Sequence, residues 1–254
     1  MILDAFKVDG KVALVTGAGQ GLGQGMAIAL AEAGADIVGL DRGSSDATAE
    51  IVKGLGRQYE QVVCDLLQAS VADLNKVVGD IVSTFGHLDI LVNNAGIIRR
   101  TPALDFSESD WDDVLHINLR AAFFLSQAAG RVMVPQGSGK IINVASMLSF
   151  QGGITVPSYT AAKSGIAGIT RALANEWAKD GVNVNAIAPG YMATENTAPL
   201  RANAERAPAI LERIPAGRWG TPDDLRGTVV FLASAASDYM QGTIIPVDGG
   251  WLTR

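Results

Sequence analysis

The sequence predicts an α/β protein, a single doubly wound domain whose seven-stranded parallel sheet carries helices on both faces. Three observations predict it. Short continuous apolar runs recur along the 254 residues, the form taken by parallel strands covered on both sides. Segments of helical period separate those runs. No repeat, low-complexity tract or linker breaks the alternation, so residues 1–254 are expected to form one domain.

The first run is Val12–Val15, followed by the glycine-rich turn Thr16–Gly23 and a helix through Met26, Ala29, Leu30 and Ala33 that stops near Gly34. Asp36–Asp41 reads as the second strand, residues 47–55 as a helix and Gln61–Cys64 as the third strand. Ser70–Phe85 has helical period and Leu88–Val92 is the fourth strand. Ser107 is a helix cap with Glu108 and Asp110 in the first turn, and the helix is expected to run to about Met133. Ile141–Val144 is the fifth strand. A helix then carries Tyr159 as far as Lys179, and Val182–Ala188 is the sixth strand, stopped by Pro189-Gly190. Residues 191–215 suit two short helices acting as a lid. Thr221-Pro222-Asp223-Asp224 starts a helix with proline at its first position, and Thr243–Val247 is the last strand.

Composition narrows the function classes. A hydrophobic content of 48% and a charged content of 18% fit a globular protein with a sizeable core. No apolar run approaches about 18 residues, so no membrane-spanning helix is expected. Residues 1–11 alternate apolar and charged positions without an apolar signal core, so a cytoplasmic location is expected. The single Cys64 excludes an internal disulfide and is expected to be a buried structural thiol. A net charge of −6 argues against a nucleic-acid footprint, and two His with one Cys leave little for a metal site, so none is expected.

The chemistry-bearing residues cluster at the carboxyl ends of these strands. Strand, glycine turn, helix is the layout in which backbone N–H groups receive a pyrophosphate, which nominates Gly17, Gly19, Gln20, Gly21, Leu22 and Gly23. Asp41 closes the second strand eighteen residues after Gly23, near the offset of an acid that holds adenosine ribose hydroxyls. A carboxylate there repels the 2′-phosphate of NADP and favours NAD, although an arginine such as Arg42 can receive that phosphate. Asp65 and Leu66 follow the third strand, where Asp65 could accept from an adenine amino group or be a loop acid. Asn93, Ala95 and Gly96 end the fourth strand beside the crevice, Asn93 either facing the cofactor or tying strands together. Arg99 and Arg100 follow, suited to a carboxylate or simply solvated. Asn118 lies within a helix, where it could hold a water by opening the ladder or face a neighbouring helix. His116 is expected at a surface or in packing. Ser146 follows the fifth strand and could hydrogen-bond a carbonyl. Tyr159 and Lys163 are four apart, hence on one face of a helix, where a cation would lower the phenol's pKa and make it a general acid/base.

Taken together, Thr16-Gly-Ala-Gly-Gln-Gly-Leu-Gly23, Asn93-Asn-Ala-Gly96, Asn118, Ser146, Tyr159-x-x-x-Lys163 and Pro189-Gly190 with Thr194 resemble the short-chain dehydrogenase/reductase family over almost the whole chain. The resemblance is loose only from Gly43 to Asp80. It implies a Rossmann fold, a homotetramer and an oxidoreductase using a nicotinamide dinucleotide. It also implies that Tyr159 exchanges the proton, Lys163 lowers its pKa and binds the nicotinamide ribose, Ser146 orients the carbonyl, Asn118 holds a relay water and Thr194 binds the carboxamide. Residues 95–100, 146–153, 175–179, 191–194 and 214–220 resemble the members of that family that act on sugar acids. That implies reversible oxidation of a secondary alcohol on a deoxy-hexonate, with Arg99 or Arg100 on the carboxylate and Gln151, Met192 and Arg218 as further wall residues. A reductase of another small ketone and a non-catalytic dinucleotide-binding regulator are the competing readings. The Arg pair speaks against the first, and the intact Ser146, Tyr159 and Lys163 against the second.

Overall fold

Seven parallel strands in the order β3-β2-β1-β4-β5-β6-β7 form the sheet in a computed structural model that describes residues 1–254. The strands are β1 (Val12–Thr16), β2 (Asp36–Asp41), β3 (Tyr59–Val63), β4 (Ile90–Asn93), β5 (Gly139–Val144), β6 (Val182–Pro189) and β7 (Ile244–Val247). All six neighbouring pairs are parallel. The winding reverses between β1 and β4, which opens a crevice outside their carboxyl ends. Pro246 is accommodated because β7 is an edge strand.

Both faces of the sheet are covered, as continuous apolar strands require. Ala13 and Val15 of β1 join one buried layer with Ile90, Val92 and Ile142. Val12 and Leu14 join the opposite layer with Leu91 and Ile141. The first layer packs under α1 (Gly21–Glu32) and α9 (Asp223–Ala233), and the second under α3 (Val71–Phe85) and α5 (Ala122–Gln136). Helix ends follow local chemistry. The Ser70 hydroxyl accepts from Asp73 N at 3.2 Å while the Asp73 carboxylate accepts from Ser70 N at 2.9 Å, and Gly86 closes α3 with φ +85°.

Element boundaries differ from expectation by one or two residues, as frayed strand ends usually do. Strand β3 begins at Tyr59 rather than Gln61, and Pro222 is the cap before α9 rather than its first helical residue. The larger difference lies after Ser107. The expected single helix is α4 (Glu108–Leu115), a π-helical segment (His116–Ala121) and α5. The Tyr159 helix is α6 (Pro157–Trp177). Its small residues do not form one continuous surface: Ala162 and Ala174 are buried in the core, whereas Gly168 and Ala172 are exposed. Segment 191–215 contains two short helices, α7 (Ala198–Arg201) and α8 (Arg206–Arg213), and Ile210 and Ile214 pack on Met147 and Trp251. The remaining helix, α2 (Asp46–Gly54), flanks β2. No helix is long and apolar enough to cross a membrane.

Candidate active site

The glycine turn is held open by the two central strands. Thr16 Oγ1, at the end of β1, accepts from Asn94 N at 3.0 Å and Ala95 N at 2.9 Å. The Asn94 amide donates to Thr16 O at 2.9 Å. A Cβ on Gly23 would stand 2.5 Å from Asn94 Nδ2, so only glycine lets α1 approach this closely. The N-terminus of α1 thereby points its unpaired N–H groups, from Gly21 onward, into the crevice. Across it stands Thr194, whose Cγ2 would lie 3.8 Å from a Cβ on Gly21. Leu22 packs beneath on the core and Gln20 is the cap residue.

Beside the turn, Asp41 Oδ2 accepts from Gly19 N at 3.0 Å, which fixes its carboxylate at the glycine turn. Arg42 is exposed next to it. Asp65 Oδ1 accepts from Leu67 N at 3.0 Å, and Leu66 is buried in the core, which leaves only its backbone for the crevice. Gly190 approaches the chain so closely that a Cβ would stand 2.5 Å from Asp248 Cα. The residues fit a dinucleotide: a glycine cradle, a helix N-terminus and a carboxylate at the far end.

Two nominated residues hold the frame of the crevice. Asn93 Nδ2 donates to Ser126 Oγ and Asn143 Oδ1, both at 2.9 Å, so its amide ties β4 to α5 and β5. It is 6% exposed and presents no donor to the crevice. Asn118 Oδ1 accepts from Ile97 N at 2.8 Å and its Nδ2 donates to Ile97 O at 2.9 Å. Its side chain therefore locks the loop after β4. The expected opening of the ladder is present, since Asn118 sits in the π-helical segment.

The acid/base group is assembled by β5 and α6. Ser146 follows β5 and is 8% exposed; its Oγ accepts from Leu148 N at 3.1 Å, which leaves its own proton to donate. Tyr159 lies half-buried one turn into α6, facing Ser146. Burial raises the phenol's pKa above its ordinary value, while the Ser146 hydroxyl and then the positive charge of Arg100 oppose the rise. Lys163 is buried, and its Nζ donates to Val144 O at 2.6 Å. It stands 5.6 Å from the centroid of the Tyr159 ring. Burial brings the Lys163 pKa down to about 8. Arg100 is thus a second cation that favours the phenolate, while the Lys163 ammonium donates to a strand carbonyl.

The substrate-side candidates separate in the same way. Arg99 Nε donates to Asp110 Oδ1 at 3.1 Å, and Asp113 lies 3.6 Å from its Nη2, so its charge is already matched. Arg218 is clamped by both oxygens of Asp224 at 2.7 Å. Met192 is 4% exposed and its sulfur packs against Gly220, in the wall of a small cavity beside Gly190 and Tyr191. Gln151 Oε1 accepts from Arg213 of α8 at 3.4 Å. Of the three substrate-side arginines only Arg100 is free of a carboxylate; its Nη2 donates to Asn196 O at 3.3 Å, and its field reaches Tyr159 and Tyr191. Sequence reasoning gave no separate role to Thr16 and Asn94, which lie within the glycine-turn and fourth-strand motifs, or to Tyr191, which opens the segment 191–194. His116 is half-buried beside Arg120, as expected of a packing residue. Cys64 is half-buried rather than buried, and burial raises its thiol pKa, the state of an unreactive cysteine.

Comparison with known proteins agrees with this geometry. A family model described as enoyl-(acyl carrier protein) reductase matches residues 17–252. The chain is 60% identical to 2-dehydro-3-deoxy-D-gluconate 5-dehydrogenase of Escherichia coli (strain K12), over 100% of both chains. A structure from Agrobacterium tumefaciens, described as a 2-deoxy-D-gluconate 3-dehydrogenase with bound NADP, is 52% identical with a TM-score of 0.92, covering 98% of this chain and 99% of that one. A gluconate 5-dehydrogenase from Burkholderia cenocepacia J2315, in complex with NADP and tartrate, is 39% identical with a TM-score of 0.95 over 100% of both chains. An oxidoreductase with this sheet, this cradle and this acid/base pair, matched along its whole length, belongs to the short-chain dehydrogenase/reductase family and binds a nucleotide cofactor.

Proposed function

We propose that the protein is an NAD-dependent dehydrogenase that interconverts a secondary alcohol and a ketone on a deoxy-hexonate, the activity for which its 60%-identical relative is named. One observation carries the substrate class: Arg100 lies without a carboxylate partner beside the reacting phenol, where an acidic substrate would supply one. The bound nicotinamide supplies the hydride chemistry. The chain's own residues do the rest. Ser146 Oγ–H donates to the substrate oxygen and fixes it opposite Tyr159. In the oxidation direction the Tyr159 oxygen takes the hydroxyl proton; in reduction it returns one. Lys163, held by Val144 O, orients its ammonium for the ribose. Asn118, where the helix ladder is opened by the π-helical segment, would hold the relay water.

NAD is the proposed cofactor because the Asp41 carboxylate sits at the glycine turn and would meet a 2′-phosphate unfavourably. The exposed Arg42 and the NADP bound by two neighbours support the phosphorylated cofactor as the second reading. Segment 191–215 is proposed as the lid, fastened to the body by Arg100–Asn196 and Gln151–Arg213. A homotetramer is proposed from the family resemblance, with a cytoplasmic location; an apolar groove lined by Leu115, Leu119, Phe123, Phe124 and Ile169 is a surface that association would cover.

A panel of hexonates and neutral hexoses, assayed with both cofactors, tests the reading. The expected result is turnover of a deoxy-hexonate with a higher kcat/KM for NAD, by a protein that light scattering sizes as a tetramer. Preference for a neutral ketone would overturn the substrate class, preference for NADP the cofactor, and a monomeric mass the assembly.

A further inference from the structure

The loop after β2, residues 42–45, carries no apolar side chain that would hold it to the core, and Arg42, Gly43 and Ser44 are exposed. Two side chains of β3 hold it instead. Gln61 bridges the loop with both ends of its amide: Nε2 donates to Gly43 O at 3.0 Å, and Oε1 accepts from Ser45 N at 3.3 Å. Tyr59, two residues earlier and hence on the same face of the sheet, donates from Oη to Ser45 Oγ at 2.7 Å. Gly39 of β2 leaves the room this needs, since a Cβ there would collide with the Tyr59 hydroxyl. The loop so held lies against the glycine turn, where a Cβ on Gly19 would stand 2.9 Å from Ser44 O. It also holds the acid at the end of β2. The Asp41 carboxylate accepts from Gly19 N through Oδ2 at 3.0 Å and from Gly43 N through Oδ1 at 3.4 Å. Gln61 therefore grips the carbonyl of the same glycine whose N–H grips Asp41. No motif marks Tyr59 or Gln61, because their partners lie 14 to 18 residues away in the chain.

We propose that Gln61, with Tyr59 beside it, is a positioning residue for the choice between NAD and NADP: it holds the loop after β2, and through Gly43 the Asp41 carboxylate, against the glycine turn. The inference rests on the cofactor reading above and deepens it. A carboxylate opposes a 2′-phosphate only while it stands close, because the repulsion falls with distance and is screened by salt. A fastened loop keeps Asp41 there. A released loop lets the carboxylate turn away and leaves the exposed Arg42 free to meet the phosphate. Selectivity for the cofactor then depends on a strand whose side chains need not touch it.

Fluorescence titration with NADH and NADPH reads the choice without turnover. Wild type and Gln61→Met are compared, each also in an Asp41→Asn background, with melting temperature as a check on folding. Methionine keeps the length of glutamine and loses both hydrogen bonds. The ratio of the NADPH to the NADH dissociation constant is expected to fall about three- to tenfold in Gln61→Met, the range that lost hydrogen bonds allow. In the Asp41→Asn background the same substitution is expected to move the ratio less than about twofold, because Gln61 acts through the carboxylate. An unchanged or raised ratio, an equal weakening of both cofactors, or the same fall without the Asp41 charge would overturn the proposal. Should Gln61→Met fail to fold, Tyr59→Phe, which removes a single hydroxyl, takes its place, with an expected fall of about two- to fivefold and the same overturning results. The wild-type ratio is read in the same titration. Tighter binding of NADPH by wild type would overturn the NAD reading, whereas the shift between variants decides Gln61 in either case.

Discussion

Tyr159 and Lys163 sit one turn apart on α6, and a further cation that acts on the phenol, Arg100, comes from outside that helix. Burial lifts the phenol's pKa, and Ser146 and Arg100 pull against it. Oxidation needs the phenolate, so its rate rises with pH through the phenol's pKa; reduction needs the phenol and falls through the same range. Removing Arg100 removes a charge that favours the phenolate. Arg100→Ala is therefore expected to move the ascending, acid-side limb of the oxidation profile to higher pH, measured as kcat against pH with saturating cofactor. Tyr159→Phe is expected to lower kcat at least a hundredfold in both directions while cofactor binding by fluorescence titration stays within about threefold. Loss of cofactor binding in that variant would assign Tyr159 a holding role instead. The spacing of Tyr159 and Lys163 was legible in the chain because helical periodicity is local. The direction of the Lys163 ammonium was not: it depends on Val144 O, nineteen residues away on β5. The pairing of Arg99 with Asp110 and the freedom of Arg100 were likewise invisible, since adjacent residues of one type look identical until their neighbours are known.

At the scale of elements, the turn between α4 and α5 is the place where a regular helix gives way to a functional one. Asn118 sits in the π-helical segment and bridges both backbone groups of Ile97. Asn118→Ala would strand a half-buried N–H and a half-buried C=O, at about 1–2 kcal/mol each. The expected outcome is a loss of about 2–4 kcal/mol in urea unfolding and a mobile loop at residues 96–100, read as a raised KM for the sugar acid. An unaltered unfolding midpoint would show that the bridge contributes nothing. Sequence reading anticipated an interruption at this asparagine, because an amide within a helix competes for backbone groups, but not its partner. The strands and most helices were legible for a simpler reason. A parallel sheet covered on both sides needs unbroken apolar runs, and Val12–Val15, Leu91-Val92 and Ile141-Ile142 are such runs. Segment 191–215 has no such periodicity; its placement comes from Ile210 and Ile214 meeting Met147 and Trp251, contacts remote in sequence.

Over the whole molecule, the sheet has two ends with different chemistry. The carboxyl end carries the crevice. The amino end carries Asp89, 7% exposed, which accepts from Val12 N at 2.9 Å and from Lys11 Nζ at 3.0 Å, with His87 Nδ1 at 2.6 Å. This carboxylate joins β1 to the residues that lead into β4, the pair at the centre of the sheet. Asp89→Ala leaves a buried N–H and an unmatched Lys11, a change expected to cost about 3 kcal/mol by urea unfolding while kcat and KM stay within about twofold. A large change in KM would show that the two ends communicate. Strand β4 is only four residues long, yet Asp89 precedes it and Asn94 follows it. At about 3.3 Å per residue the two lie roughly 16 Å apart. Substitutions separated by more than about 10 Å with no shared neighbours add independently. Heat tolerance can therefore be engineered from beneath this protein without retuning what happens above, and two collections of variants, one from each rim, can be merged by simple addition.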